Sequence, residues 1–194
     1  MKRIINKMEG QAGGFTLVEL IIVLLLVAVI SALAGLGIVT GLKGYVFAKE
    51  NASITQKAQL TMSRLSRELL ESADITVANA GAATFQYLDG YRSLGIVGTG
   101  TNKEIKIVDG ATSSLLPPDD TRGDVLINNV NSFTITYYKT AGTPWVLGAD
   151  DATLLTQIKI DLVLNHPDSS IGTISFSTVV NPRNTGTYNV PVKL

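Results

Sequence analysis

No cysteine occurs in the chain and only one histidine does. The first absence removes disulfides, thiol nucleophiles and thiolate metal sites together. The second starves any histidine-based zinc site or Ser-His-Asp arrangement, because the single imidazole lies in the turn-like sequence Asn165-His166-Pro167-Asp168. A glycine-rich lysine loop for phosphate is missing as well. Charge of one sign is not in excess, with 16 basic and 16 acidic side chains, so there is no electrostatic footprint for nucleic acid and none is expected as a partner. The acids Asp119, Asp120, Asp124, Asp150 and Asp151 lack the spacing of a calcium loop and read as solvated turn residues. What remains is the expectation of a protein that is not an enzyme and carries no cofactor or metal.

The most informative scarcity is local. Between residues 15 and 42 the sole ionisable side chain is Glu19. An apolar run longer than the roughly 20 residues that cross a bilayer is a transmembrane candidate. A carboxylate inside hydrocarbon costs about 2.5 to 3.5 kcal/mol, so such an acid is normally paired or functional. Ahead of the run, residues 1–14 are short and polar and carry Lys2, Arg3 and Lys7 against Glu9, leaving 13 basic and 15 acidic side chains beyond them. A secretory signal has its apolar region before the cleavage site, and this leader has none. Positive charge before the span holds the leader in the cytoplasm and sends the C-terminal part across.

Gly14 followed by Phe15-Thr16-Leu17-Val18-Glu19 resembles the class III signal of type IV prepilins and pseudopilins. The resemblance implies that a prepilin peptidase cuts after Gly14 and methylates the new amino terminus at Phe15. It also implies that Glu19 accepts the terminal ammonium of a neighbouring subunit, which would supply the missing counter-charge. Many relatives close a C-terminal loop with a disulfide, which this chain cannot form. Glycines at 35, 37, 41 and 44 follow. Gly37 and Gly41 are spaced to let another helix approach closely. The cluster also fits a segment that loosens in filaments, although relatives often place a proline about where Leu36 stands.

Helical periodicity continues past Gly44: Ile54, Ala58, Met62, Leu65, Leu69 and Ala73 fall on one stripe, predicting a helix from Phe15 to about Ala73. Arg64 and Glu68, like Arg67 and Glu71, are spaced as surface ion pairs. The segment 64–70 resembles the helix end of larger minor pseudopilins. Beyond it come short β-prone runs punctuated by Gly, Asn, Asp and Pro. Residues 132–139 and 157–164 alternate most clearly; others are predicted at 84–88, 104–108, 124–128, 173–180 and 188–192. Trp145 reads as a core plug, and Tyr87, Tyr91, Tyr137 and Tyr138 as cross-strand packing residues. The long loop at 110–123 is a candidate contact surface. Asn181-Pro182-Arg183-Asn184 reads either as a turn or as the closing Arg-Asn signature of minor pilins.

The expected architecture is α+β, pilin-like, with a long N-terminal helix, transmembrane in its first half, packed on an antiparallel β-sheet. Its expected parts are a removable leader over 1–14, a transmembrane and filament-core helix over 15–44, an amphipathic half over 45–75 and a β domain over 76–194. The resemblance implies a minor pilin or pseudopilin held in the inner membrane, its C-terminal domain outside the cytoplasm, and then drawn into a filament. The system would be type II secretion or type IV pilus assembly. Its implied partners are other pilins through the helix, the prepilin peptidase, an inner-membrane assembly platform and the lipid bilayer. A membrane-anchored module that recognises a secreted substrate, a surface or DNA is the alternative.

Overall fold

The computed structural model describes residues 14–87, 90–100, 103–110, 121–140, 142–168, 170–183 and 185. Its contacts divide the chain into two units, Met1–Lys49 and Glu50–Leu194. One helix, α1 (Leu17–Leu70), supplies the described structure of the first unit and the opening segment of the second. At about 1.5 Å per residue its 54 residues exceed what a bilayer requires. Its apolar segment is long enough to cross a membrane, and every described residue of the chain up to Lys49 is exposed.

Within the second unit the strands are β1 (Ile75–Ala78), β2 (Ala82–Tyr87), β3 (Gly90–Val97), β4 (Glu104–Asp109), β5 (Asp124–Ile127), β6 (Val130–Thr140), β7 (Thr143–Pro144), β8 (Gln157–Asn165) and β9 (Thr173–Val180). All named pairings are antiparallel. The sequence predicts one sheet, and the described residues form two, ordered β1-β2-β3-β4-β5 and β7-β6-β8-β9. The α+β, pilin-like arrangement stands. The region 188–192, residues 111–120 with Asp119 and Asp120, and Asn184 lie outside the described residues.

The helical stripe is core: Ala58, Met62, Leu65, Leu69 and, just past the helix, Ala73 are buried. Opposite them lie the inward faces of the two alternating strands, Phe133, Ile135 and Tyr137 on β6 and Ile158, Ile160, Leu162 and Leu164 on β8. Each such leucine or isoleucine contributes about 1.5–3 kcal/mol on leaving water. The helix ends at Leu70 rather than Ala73 because its last carbonyls are claimed. Ser72 Oγ donates to Leu69 O at 2.8 Å and the Arg183 amide donates to Leu70 O at 3.1 Å, while the Ala73 amide turns to Gln86 O. Arg183, ambiguous in the sequence, thus caps the helix through its backbone.

The chain enters β5 through Gly123, whose φ is +79° and whose absent Cβ would lie 2.2 Å from Ile107 O on β4. Gly123→Ala is therefore expected to lower stability by about 2–4 kcal/mol, through left-handed strain plus a backbone clash. Chemical denaturation of the purified protein measures this, with Gly142→Ala, also at positive φ but facing open space, as the milder comparison.

Candidate functional site

Gly14, Phe15 and Thr16 lie outside the helix, and α1 starts two residues later than the predicted Phe15. Thr16 explains the delay. Its Oγ1 accepts the Glu19 amide at 3.2 Å while its carbonyl accepts the Leu20 amide, which is the geometry of a helix N-cap. Glu19 accordingly sits in the first turn, where the helix dipole favours a negative charge by about 0.3–1 kcal/mol at an exposed site. Sequence reading missed this role of Thr16. The signal was present, since Thr-x-x-Glu ahead of an apolar run is the capping-box pattern.

The structure thus brings Phe15, Thr16 and Glu19 together at one helix end. Glu19 is exposed and meets no cationic side chain among the described residues. A Cβ on Gly14 would meet open space, as it would on Gly35, Gly37, Gly41 and Gly44, so nothing in the isolated fold requires glycine there. Side by side with them, Leu20 to Leu42 present apolar surface all round and bury none of it. A helix of this kind is stable only against lipid or other helices.

Several other sequence candidates among the described residues make contacts within the fold. Trp145 is buried, donates Nε1–H to Asp151 O at 2.9 Å and tilts against Tyr137, 6.1 Å between ring centres. Burial pushes the Tyr137 phenol up. Asp151 caps a short 3-10 turn (Ala152–Leu154). The Asp150 carboxyl is held below the ordinary carboxylate range by Lys139 Nζ at 2.7 Å and by the Val146 amide. Asp124 pairs with Arg64 at 3.8 Å. His166 is buried in its turn, where Nδ1 accepts the Asp168 amide. Among the described residues no cluster of acids and histidine has the makings of a metal site.

One connection was not legible. Arg64 and Glu68 do not pair with each other. Glu68 is buried and bonds Arg92 of β3, whose guanidinium also bonds Asp109 of β4 and lies 4.3 Å over the ring of Tyr87 at the end of β2. Burial opposes the charge on Arg92, but the bonds to Asp109 and Glu68 outweigh it and raise its pKa. Four elements meet at this one side chain.

Fold and helix head together define a class: an α+β protein of pilin-like arrangement whose bare apolar helix opens on a capped, acid-bearing turn. Residues 11–35 match the family model described as the prokaryotic N-terminal methylation motif, the hallmark of type IV pilins and pseudopilins. The motif supports a type IV pilin- or pseudopilin-like subunit, and the apolar N-terminal helix fits a membrane-anchored pilin. Comparison with curated proteins and with solved structures gives no match.

Proposed function

We propose that the chain is a minor subunit of a type IV filament serving protein secretion or pilus assembly. It is cut after Gly14, methylated at Phe15 and stored in the inner membrane with its β domain outside the cytoplasm. From there the assembly platform draws it into the filament. In this reading residues 1–14 are the leader, 15–44 the membrane and filament-core helix, 45–75 the amphipathic half and 76–194 the exposed β domain. The observation that carries it is the pairing of the methylation motif with a helix whose apolar first half, Leu20 to Leu42, is wholly unburied. Bundling with other pilins would bury that surface at about 25 cal/mol per Å², and Glu19 would set axial register by meeting a neighbour's terminal ammonium.

The test is the mature N-terminus. Protein extracted from membranes should begin at Phe15 and carry the mass of one added methyl group. Gly14→Val should leave the precursor at full length. A membrane-extracted protein that still begins at Met1 overturns the reading.

A further inference from the structure

Sheet edges expose unpaired amides and carbonyls, and proteins normally blunt them with short strands, bulges, proline or charge. Three of the four edges here are blunted. β1 has four residues and a bulge against β2; β5 has four and a bulge against β4; β7 has two, one of them Pro144, and an irregular register with β6. β9 differs on every count. It has eight residues, Thr-Ile-Ser-Phe-Ser-Thr-Val-Val, with no charge and no proline, in unbroken register with β8. Nothing among the described residues pairs with its other side.

At the end of this strand a groove of about 650 Å³ lies between Val179 and Val180 of β9, Gln157 of β8 and the end of α1. Leu70, Val179 and Val180 give it apolar surface, and Arg67 and Arg183 are its only charged lining residues among those described. Both arginines are exposed, and neither guanidinium meets a carboxylate among the described residues. A strand with an open edge that ends at a doubly basic groove is complementary to an extended segment that bears acid.

We propose that β9 accepts an extended acidic segment of a partner protein. The segment adds as a further strand to the β7-β6-β8-β9 sheet and sets a carboxylate against Arg67 and Arg183. Two other occupants fit less well. A second copy's β9 contains no carboxylate to meet the arginines. Residues 186–194 of this chain, Gly-Thr-Tyr-Asn-Val-Pro-Val-Lys-Leu, contain no acidic side chain and include Pro191 and Lys193. The chain leaving β9 also turns across the start of β8: the Arg183 amide reaches Leu70 O, and Thr185 Oγ1 donates to Leu155 O at 3.1 Å.

The experiment uses the full chain in detergent micelles and a fluorescent, end-capped peptide of alternating Thr and Val, as long as β9, with a glutamate near each end. Its glutamine counterpart is the control. The glutamate peptide should bind about tenfold more tightly at low salt, with the advantage shrinking as salt is added. The double variant Arg67→Gln, Arg183→Gln should bind both peptides equally. Of two peptides N-methylated on alternate residues, one set or the other, one should lose binding, because only one set of amides faces β9. Equal binding of both charge forms to the native chain, unimpaired binding of both methylated peptides, or no binding at all overturns the proposal. So does binding that appears only after residues 186–194 are removed, which would make the chain its own occupant. Pairs of chains cross-linked through a cysteine at Val179 in place of peptide binding would likewise overturn it, by showing a second copy there.

Discussion

Glu68→Ala is expected to destabilise the second unit by about 3 kcal/mol, far more than any exposed ion pair on this protein could contribute. Removing the Glu68 carboxylate leaves the Arg92 guanidinium, itself only 19% exposed, without its buried counter-charge. Losing one member of a buried pair costs about 3–5 kcal/mol. The lower end applies because Asp109, 73% exposed, stays bonded to Arg92 and admits water. For a domain of this size that corresponds to a fall of about 6–12 °C in midpoint. Thermal unfolding followed at Trp145, which packs on Tyr137 in the core, measures it. Two comparisons separate charge from packing. Glu68→Leu combined with Arg92→Met should recover most of the loss, because an apolar pair of similar volume needs no counter-ion. Arg64→Gln should change stability by less than about 0.5 kcal/mol, since its partner Asp124 is 79% exposed. A Glu68→Ala protein as stable as the native one would show that Arg92 is satisfied by Asp109 alone.

That ion pair also marks where sequence reading stops. Periodicity placed Glu68 beside Arg64 on one turn of helix, and both are indeed there; which of two arginines a carboxylate chooses is decided by the strands that pack on the turn. The stripe from Ala58 to Leu69 was legible because burial on a helix repeats every three or four residues. The inward faces of β6 and β8 were legible because burial on a half-covered strand alternates. β3 was not, for a physical reason. It is an interior strand, buried at Ser93, Leu94 and Gly95 in succession, and its polar members are satisfied by partners remote in sequence. Ser93 Oγ shares a 2.8 Å hydrogen bond with Thr84 Oγ1, and Gly95 lies where a Cβ would come 2.9 Å from that of Ala82. Arg92, Ser93 and Gly95 around a single leucine show no alternation that would announce a strand until those neighbours are in place. The helix head was the reverse case: its apolar run and single acid are local features, while the cap at Thr16 was equally local and overlooked.

Glu19→Ala is expected to leave membrane insertion and leader removal intact and to cut incorporation into filaments by two to three orders of magnitude, about 4 kcal/mol at an effective dielectric near 20. The helix head gives the reason. Alone, the Glu19 carboxylate is exposed, favoured by the dipole of its own first turn and unpaired with any described cation. Packing exposed helices against one another would strip water from that carboxylate and from the ammonium that the proposed cleavage would create at Phe15. If each meets the other across subunits, both costs are offset; if one is removed, the other is buried alone. Loss of the carboxylate's dipole contribution accounts for at most about 1 kcal/mol, confined to the first turn. Glu19→Gln, which keeps volume and hydrogen bonding, should therefore fail nearly as badly as alanine, whereas a capping defect made by Thr16→Ala should be mild. Glu19→Lys should be the worst, since it sets two cations together. The measurement is the ratio of variant protein in sheared filaments to that in membranes of the same cells. Filament levels of Glu19→Ala equal to those of the native chain, or a Thr16→Ala defect as large as the Glu19→Gln one, would move the role of this acid from pairing between subunits to the start of its own helix.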